Sequence, residues 1–398
     1  MSTPAKERIA LLDIVRGFAV LGILLMNIRL FSEPSAAYLN PMVYSAHEGA
    51  NKLWWSIQYF LADQKFMAIF SMLFGASTAI ICDSLANKGL PVALTFAKRI
   101  FGLLIMGLAH AYLLWSGDIL VFYALGAIAP FLFRNARWWV TASVGTLLLA
   151  IGSVWSLLGY HSFADLSAMV QEEIAAYMWL PPMEHLQHEV DAFQGGWLSQ
   201  QPLRAEHSWY FHTDVFVNWG VWRVTGVMLI GLALYRAGFL RGALSTKAYA
   251  TIAAISFPIG FALVTMGYLN NEAANWAFPY SMFAGSQWNY WGSLFVAMGY
   301  MASIAVLLTA TRFRFGFTAL TNVGKAALSN YLFQTVMCTG IFYGHGLGLF
   351  GQLERWQTAF VVLAVWATQI ILSTLWFKRF KQGPMESLWH RFTYARWL

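Results

Sequence analysis

The residues best suited to chemistry are one histidine and one aspartate in an otherwise apolar stretch. Residues 102–126 read GLLIMGLAHAYLLWSGDILVFYALG and include His110 and Asp118. The pattern predicts two membrane helices joined at Ser116-Gly117, with His110 roughly 7.5 Å of helix rise below the turn. An ionisable side chain inside a bilayer is costly, so it usually serves function. We therefore predict that His110 is a general base or nucleophile and that Asp118 orients its imidazole.

Both residues also have a structural interpretation, which the sequence leaves open. Asp118 opens the second helix, where a carboxylate caps free N–H groups and interacts favourably with the helix dipole. His110 would then be a neutral side chain hydrogen-bonded to a neighbouring helix. Direct contact between the two requires a favourable tilt or a bridging water, because His110 lies more than one turn below the helix end.

Further polar side chains within apolar runs predict a substrate-binding surface. They are Asn27, Lys65, Arg223, Asn330 and Gln334. Arg223 needs a cavity or an acidic partner, because an unpaired charge in hydrocarbon is costly. The alternative for Lys65 is snorkelling to the interface, and for Asn330 and Gln334 it is hydrogen bonding between helices. Apart from Asn330, these residues and the His–Asp pair fall in the outer half of the membrane, which predicts one cluster.

The composition is that of a polytopic membrane protein. Of 398 residues, 59% are hydrophobic and 11% are charged, whereas a soluble domain carries about 25% charged residues. Runs of about 20 apolar residues cross a bilayer as helices. Ten candidate runs lie at about 11–31, 64–83, 96–115, 118–133, 139–159, 214–235, 249–268, 288–310, 324–343 and 357–377. The predicted fold is therefore all-α, a single transmembrane domain over residues 1–398 with about ten transmembrane helices.

Basic residues indicate how these helices are oriented. Lys and Arg accumulate in cytoplasmic loops, and 18 of the 25 such residues fall on one side of the map if the N-terminus is inside. They are Lys6, Arg8, Lys88, Lys98, Arg99, Arg134, Arg137, Arg236, Arg241, Lys247, Arg312, Arg314, Lys325, Lys378, Arg379, Lys381, Arg391 and Arg396. Both termini are therefore predicted to be cytoplasmic. The net charge of +7 then reflects topology and contact with anionic lipid, and no nucleic-acid partner is expected.

The longest stretch between apolar runs, residues 160–213, is acidic and is divided by Pro181-Pro182. It predicts an extracytoplasmic insertion that forms a small cap of short helices. Its histidines suit a solvated helix face better than a zinc site, and neither a metal nor haem is expected. Cys82 and Cys338 both fall in predicted helices and imply no disulfide.

Several segments of the chain resemble known families. LDIVRGFAVLGILLMN resembles the opening of the bacterial transmembrane acyltransferase superfamily. KFMAIFSMLFG, GLAHAYLLWSGDIL, GKAALSNYLFQT and GPMESLWHRFTY resemble the YeiB family, bacterial inner-membrane proteins of unknown function. These blocks occur in order over nearly the whole chain, so the resemblance implies YeiB membership and a location in the bacterial inner membrane.

The superfamily resemblance implies a reaction. Its members take an acyl group from cytosolic acyl-CoA and pass it to an extracytoplasmic acceptor such as a sugar or a lipid. Arg16, Lys98 and Arg99 would bind the phosphates of acyl-CoA, although Arg16 also suits an ion pair with Asp13 on the same helix face.

One position departs from the superfamily pattern. Asn27 stands where related polysaccharide acyltransferases have a catalytic His, so His110 is the expected replacement, with His47 in the following loop as an alternative. Asn27, Lys65 or Arg223 would stabilise the developing oxyanion.

Two other functions remain open at this point. In a transporter or lipid-handling protein, Lys65, His110 and Arg223 would line a substrate or proton path. In a structural or assembly protein, the acidic cap would bind a partner. The bilayer and a small-molecule or glycan acceptor are the expected partners, and the sequence leaves an oligomer open.

Overall fold

The computed structural model describes residues 5–310 and 314–394, and their side chains over residues 10–309 and 316–394. Every regular element in these residues is helical, which confirms the all-α prediction. Five of the basic residues used to orient the chain, Lys6, Arg8, Arg312, Arg314 and Arg396, lie outside the described side chains.

The helices follow one another along the chain with short connections. They are α1 (Ala5–Ser32), α2 (Gly49–Leu61), α3 (Lys65–Asn87), α4 (Val92–Leu113), α5 (Leu120–Gly126), α6 (Ile128–Leu132), α7 (Trp138–Phe163), α8 (Ala168–Met178), α9 (Met183–Gln194), α10 (Gln201–Tyr210), α11 (Val221–Arg236), α12 (Thr246–Ala273), α13 (Ser286–Ala310), α14 (Arg314–Lys325), α15 (Ala327–Phe342), α16 (Thr358–Trp376) and α17 (Pro384–Tyr394). Two π-helical segments, Phe211–Gly220 and Tyr280–Gly285, lead directly into α11 and α13.

Eight helices of the described chain are long and apolar enough to cross a membrane, so the protein is a membrane protein. The other two predicted spans are shorter in the structure. The run at 118–133 is broken into α5 and α6. The run at 324–343 forms α15, whose 16 residues extend roughly 24 Å, against a hydrocarbon core of about 30 Å.

The 160–213 segment differs in part from its predicted form. Helices α8 and α9 lie within it as expected, but α10 continues through the π segment Phe211–Gly220 into α11 as one helix from Gln201 to Arg236. This helix begins with the polar segment QPLRAEHSWYFHTD, so a search for apolar runs does not find its start. The segment is amphipathic and packs on α4.

Helix α1 lies between two apolar cores. Ile14, Val15 and Ile23 belong to a core shared with α3 and α13. Leu24 and Phe31 belong to a second core shared with α5, α15 and α16. Because α1 is packed on both sides, polar residues on neighbouring turns face different parts of the bundle.

Acidic and basic residues mark the two ends of the helices. At the acidic end, Arg355 donates to Glu33 at 3.1 Å and the Ser35 N–H donates to Glu189 at 2.8 Å. These contacts tie α9 and the chain before α16 to the end of α1.

At the opposite, basic end, the Arg236 guanidinium binds both oxygens of Asp83 at 2.8 and 2.9 Å. Arg16 donates to Asp13 at 3.0 Å at the same end. The acidic and basic ends so defined are the two faces of a membrane-spanning bundle.

Candidate functional site

His110 and Asp118 are in direct contact. His110 Nδ1 lies 2.8 Å from Asp118 Oδ1, and both side chains are buried. The contact needs no bridging water because α4 ends at Leu113 and the chain turns back at once, with the Trp115 N–H donating to the His110 carbonyl at 2.9 Å. The predicted turn at residues 116–117 therefore brings Asp118 down to the imidazole.

Asp118 also has the capping role. Its Oδ2 accepts the Val121 N–H at 2.9 Å, at the start of α5. One carboxylate oxygen therefore fixes the helix start and the other faces His110, so the structural and functional interpretations of Asp118 are compatible.

The second imidazole nitrogen faces a hydroxyl on α15. His110 Nε2 lies 2.9 Å from Thr335 Oγ1, and Thr335 is buried. When Nδ1 carries the proton toward Asp118, Nε2 accepts the hydrogen bond from the Thr335 hydroxyl. Hydroxyl, imidazole and carboxylate then stand in the order of a nucleophile, a general base and an orienting acid.

Aromatic rings enclose this group. The rings of Tyr331 and Trp115 lie 5.2 and 6.2 Å from the imidazole, centroid to centroid. The Trp115 indole N–H is buried and has no hydrogen-bond acceptor among the described residues. The site is thus closed off from bulk solvent, and one of the enclosing rings carries an unused donor.

Lys65 and Arg223 belong to a different network, next to α13. Lys65 Nζ donates to the Tyr59 carbonyl and to Asn289 Oδ1, both at 2.7 Å. Arg223 donates to the Tyr290 carbonyl and to Ser293 Oγ, both at 2.6 Å. Arg223 therefore faces the protein interior, as predicted.

Asn330 and Gln334 form a third network, between α15 and α16. Gln334 Nε2 donates to Gln369 at 3.0 Å and to the Val20 carbonyl at 2.8 Å, while Asn330 donates to Ser373 at 3.0 Å. These bonds join helices, as the packing interpretation expects.

The prediction of one outer cluster is therefore wrong, because its members form separate networks. Asn27 joins none of them. It is partly exposed, although Ile23 and Ile28 on the same helix are buried, and it makes no side-chain hydrogen bond to any described residue. Similar depth does not bring residues together when they lie on different sides of the bundle.

The basic end holds the predicted phosphate-binding residues. Arg16 bonds to Asp13 and, at 2.9 Å, to Ser77 Oγ. The Arg99 guanidinium stacks on the Trp389 ring at 3.5 Å, close enough to Arg16 for their charges to interact. Lys98 precedes Arg99 and is partly buried. Arg16 on α1 and Arg99 on α4 therefore lie at the same end of the bundle.

Sequence reasoning missed several residues of these networks. Thr335 follows Gln334 and carries no signal of its own in an apolar helix. Arg29 is buried and donates to Gln58 at 2.8 Å, and its position two residues after Asn27 within the first apolar run was a usable signal. Asn289, which contacts Lys65, lies on a helix far along the chain.

His47, the alternative base, lies at the acidic end. Its Nε2 is 2.9 Å from Glu272 Oε1, and Lys52 also pairs with Glu272. Burial lowers the pKa of His47, while the hydrogen bond with Glu272 acts in the opposite direction. His47 does not belong to the His110 site. Its ring packs against the rings of Trp55 and Trp276 instead.

No group of three potential metal-ligating side chains forms within the described residues. In the predicted cap, His185 and His188 are exposed. Glu189 instead points inward and bonds to Ser35.

Comparison with known proteins gives the family. Over 97% of this chain and 96% of the relative, 33% of residues are identical to the uncharacterized protein YeiB of Escherichia coli (strain K12). This chain belongs to the YeiB-like family. The uncharacterized protein YxaH of Bacillus subtilis (strain 168) is 28% identical over 99% of this chain and 96% of its own length. An uncharacterized 39.9 kDa protein of Bacillus acidopullulyticus, from the amylase 3' region, is 26% identical over 98% and 95%.

The family model that matches covers part of the YeiB-like chain. It is described as a protein of unknown function (DUF418) and matches residues 234–396. This part includes Thr335 but neither His110 nor Asp118. No solved structure matches the chain.

Proposed function

We propose that this YeiB-like protein is an acyltransferase of the bacterial inner membrane, with both termini in the cytoplasm. It would move an acyl group from cytosolic acyl-CoA to an extracytoplasmic acceptor such as a sugar or a lipid. The observation that supports this proposal is the position of His110, whose two ring nitrogens face Asp118 at 2.8 Å and Thr335 at 2.9 Å.

The proposed reaction has two steps, with Thr335 carrying the acyl group. The Thr335 oxygen attacks the thioester carbonyl, a C–O bond forms and the C–S bond breaks. His110 takes the hydroxyl proton and passes it to the departing thiolate, so CoA leaves as the thiol. An acceptor hydroxyl then attacks the ester, and its proton returns through His110 to the Thr335 oxygen. Asp118 holds the imidazole in the required tautomer.

Two further features of the structure support this chemistry. The Trp115 indole N–H has no acceptor among the residues that the structure describes and would supply a donor for the developing oxyanion. Burial of the site excludes water, which would otherwise hydrolyse an acyl intermediate.

The donor would enter from the basic end. Arg16, Lys98 and Arg99 are the proposed contacts for the acyl-CoA phosphates, because guanidinium and ammonium groups bind such anions. The two-step route suits this geometry, since the acyl group would be loaded from one face and released to the other.

The test is acyl release from labelled acyl-CoA in proteoliposomes, with wild type compared with His110→Ala. Loss of the general base should reduce turnover about 10²–10⁴-fold. The unfolding midpoint of the variant is measured alongside, because truncation leaves the buried Asp118 carboxylate without this partner at a cost of about 1–3 kcal/mol or more. His207→Ala, on α10, is the control and should keep wild-type turnover. If His110→Ala turns over like wild type, His110 only packs.

Transport or lipid handling is the second candidate function. It is supported by Lys65 and Arg223, which are fully buried cations with neutral hydrogen-bond partners and would suit a path for an anionic substrate. If wild-type protein turns over none of a panel of short- and long-chain acyl-CoAs, this reading replaces acyl transfer.

A further inference from the structure

Three buried cations gather in the half of the bundle nearer the acidic end. Arg29, Lys65 and Arg223, which we call the cation cluster, are each at most 2% exposed. Their charges are close enough to interact, Lys65 with both arginines. All their described hydrogen-bond acceptors are neutral. These acceptors are the side chains of Gln58, Asn289 and Ser293 and the carbonyls of Tyr38, Trp55, Tyr59 and Tyr290.

Two carboxylates lie near this charge, Asp63 and Glu33, but Glu33 is ion-paired with Arg355 at 3.1 Å. Asp63 interacts electrostatically with all three cations and accepts the Asn289 Nδ2–H at 3.1 Å. It forms no ion pair with any of them within the described residues, since Asn289 lies between it and Lys65. With Asp63 ionised and all three cations protonated, the cluster carries an excess of two positive charges in the membrane interior, which is costly unless an anion compensates it.

The cluster also has unused polar atoms. Arg223 Nε is buried and has no acceptor among the described residues, and the Tyr59 hydroxyl and Gln64 Oε1 are likewise buried without partners. Buried polar groups are normally hydrogen-bonded. The unsatisfied Arg223 Nε–H donor beside excess positive charge points to an anionic ligand.

The backbone at this place is strained, which is typical of a functional site. Gln64 adopts φ 61°, the left-handed conformation that L residues other than Asn and Asp rarely adopt. This bend between α2 and α3 sets Asp63 beside the cluster and directs Lys65 inward. Asp63 and Gln64 are partly exposed, so this bend is the part of the cluster nearest the protein surface.

We propose that the cation cluster binds a phosphate group. A phosphate monoester carries close to two negative charges at neutral pH and matches the excess of two, whereas a carboxylate or a phosphodiester neutralises only one. Guanidinium and ammonium donors suit phosphate oxygens. The phosphate belongs either to a soluble compound or to a lipid headgroup. This inference goes beyond the proposed acyl transfer and does not depend on it.

The experiment is calorimetric titration of the purified full-length protein in neutral detergent. The probes are inorganic phosphate, short-chain phosphatidic acid, which is a monoester, and short-chain phosphatidylglycerol, which is a diester. We expect saturable binding of phosphate, with the diester weaker than both monoester-type probes. Phosphatidic acid binding tighter than inorganic phosphate assigns the ligand to lipid, and equal affinities assign it to a soluble phosphate. Failure of both inorganic phosphate and phosphatidic acid to bind overturns the proposal.

Variants separate a binding site from a packing network. Lys65→Gln and Arg223→Gln each remove one charge-assisted contact and should weaken phosphate binding about 10–100-fold. Asp63→Asn removes the competing carboxylate and should strengthen it. If the Gln variants do not fold, Asp63→Asn and Arg223→Lys carry the test. Unchanged affinity in Asp63→Asn overturns the proposal.

Arg204→Gln is the matched control. Arg204 is also fully buried and bonds to neutral groups, Gln200 at 2.7 Å and the Leu113 carbonyl at 3.1 Å, but it lies on α10, away from the cation cluster. Its substitution should leave phosphate affinity unchanged, and an equal loss of affinity overturns the assignment to the cluster. Because no acyl-CoA is present, the outcome is independent of acyl turnover.

Discussion

At the scale of single residues, burial and hydrogen-bond partners determine the chemical properties of the ionisable side chains. His110 is buried against one carboxylate and one hydroxyl, which gives it a directed pair of hydrogen bonds. Glu189 is buried, and among the described residues its hydrogen-bond partner is Ser35 alone, through its N–H at 2.8 Å and its hydroxyl at 3.2 Å. The first arrangement suits proton transfer, and the second makes the region around α9 sensitive to pH.

Glu189→Gln should change the pH dependence of stability. Burial raises the pKa of Glu189 to about 7, against an ordinary value of 4.5, although the bonds from Ser35 lower it. The folded state then binds more protons than the unfolded state between these values, so stability falls as pH rises from about 4.5 to 7. The glutamine variant should match wild type near pH 4.5 and exceed it by roughly 1–3 kcal/mol at pH 8.

Thermal unfolding in detergent across pH 4.5–8 measures this difference. Glu184→Gln on the same helix is the control, because Glu184 is exposed and should give a profile parallel to wild type. A Glu189→Gln profile that also runs parallel to wild type would show that Glu189 is not protonated in the folded state.

At the scale of elements, glycines set how closely the helices cross. A Cβ at Gly75 on α3 would lie 1.8 Å from the Met228 carbonyl oxygen on α11, and one at Gly231 would lie 2.0 Å from the Met72 carbonyl oxygen. Small residues allow this approach between membrane helices. The crossing places Lys65 and Arg223, on these two helices, beside the same segment of α13.

Gly75→Ala should therefore destabilise the protein. The added methyl meets backbone that has to shift, a cost of about 1–3 kcal/mol or more. Gly340→Ala on α15 is the matched control, because a Cβ there meets nothing within 4 Å, and it should leave the unfolding midpoint unchanged or raise it. Equal midpoints for both variants would mean that α3 and α11 do not cross this closely.

Much of the site was predictable at the residue and element scales, and particular steps were not. Composition and apolar runs predicted an all-helical membrane protein, and the resemblance of blocks such as GLAHAYLLWSGDIL predicted the family. The tight turn after His110 predicted that Asp118 is its partner. Depth in the membrane is one coordinate only, so it did not reveal that Lys65 lies beside Asn289 while His110 lies beside Thr335. Rotation of each helix about its axis depends on packing, which a single sequence does not state.

At the scale of the whole molecule, charge separates the two ends of the bundle. Glu33, Glu189 and Glu272 lie at one end, and Arg99 and Arg236 lie at the other. Basic residues remain in the cytoplasm during membrane insertion. We therefore propose that the acidic end is extracytoplasmic and the basic end is cytoplasmic.

Cysteine labelling in intact cells tests this orientation. The two native cysteines, Cys82 and Cys338, are buried, so the wild type provides a low background. A membrane-impermeant maleimide should label His188→Cys, which is exposed on α9, in intact spheroplasts. It should label Arg241→Cys, exposed at the basic end, only after lysis. The reverse pattern would invert the topology and remove the proposed route for acyl-CoA.

The most direct test of the proposed chemistry is to find the acyl group on Thr335. Purified wild type and Asp118→Asn, Thr335→Ser and Thr335→Val variants would be mixed with isotope-labelled acyl-CoA, quenched, digested and analysed by peptide mass spectrometry. We predict a labelled acyl ester on Thr335 in wild type, retained in Thr335→Ser, slowed in Asp118→Asn and absent in Thr335→Val. Either of two results would contradict this mechanism. One is turnover of acyl-CoA by wild type with no label on Thr335, and the other is undiminished turnover by Thr335→Val.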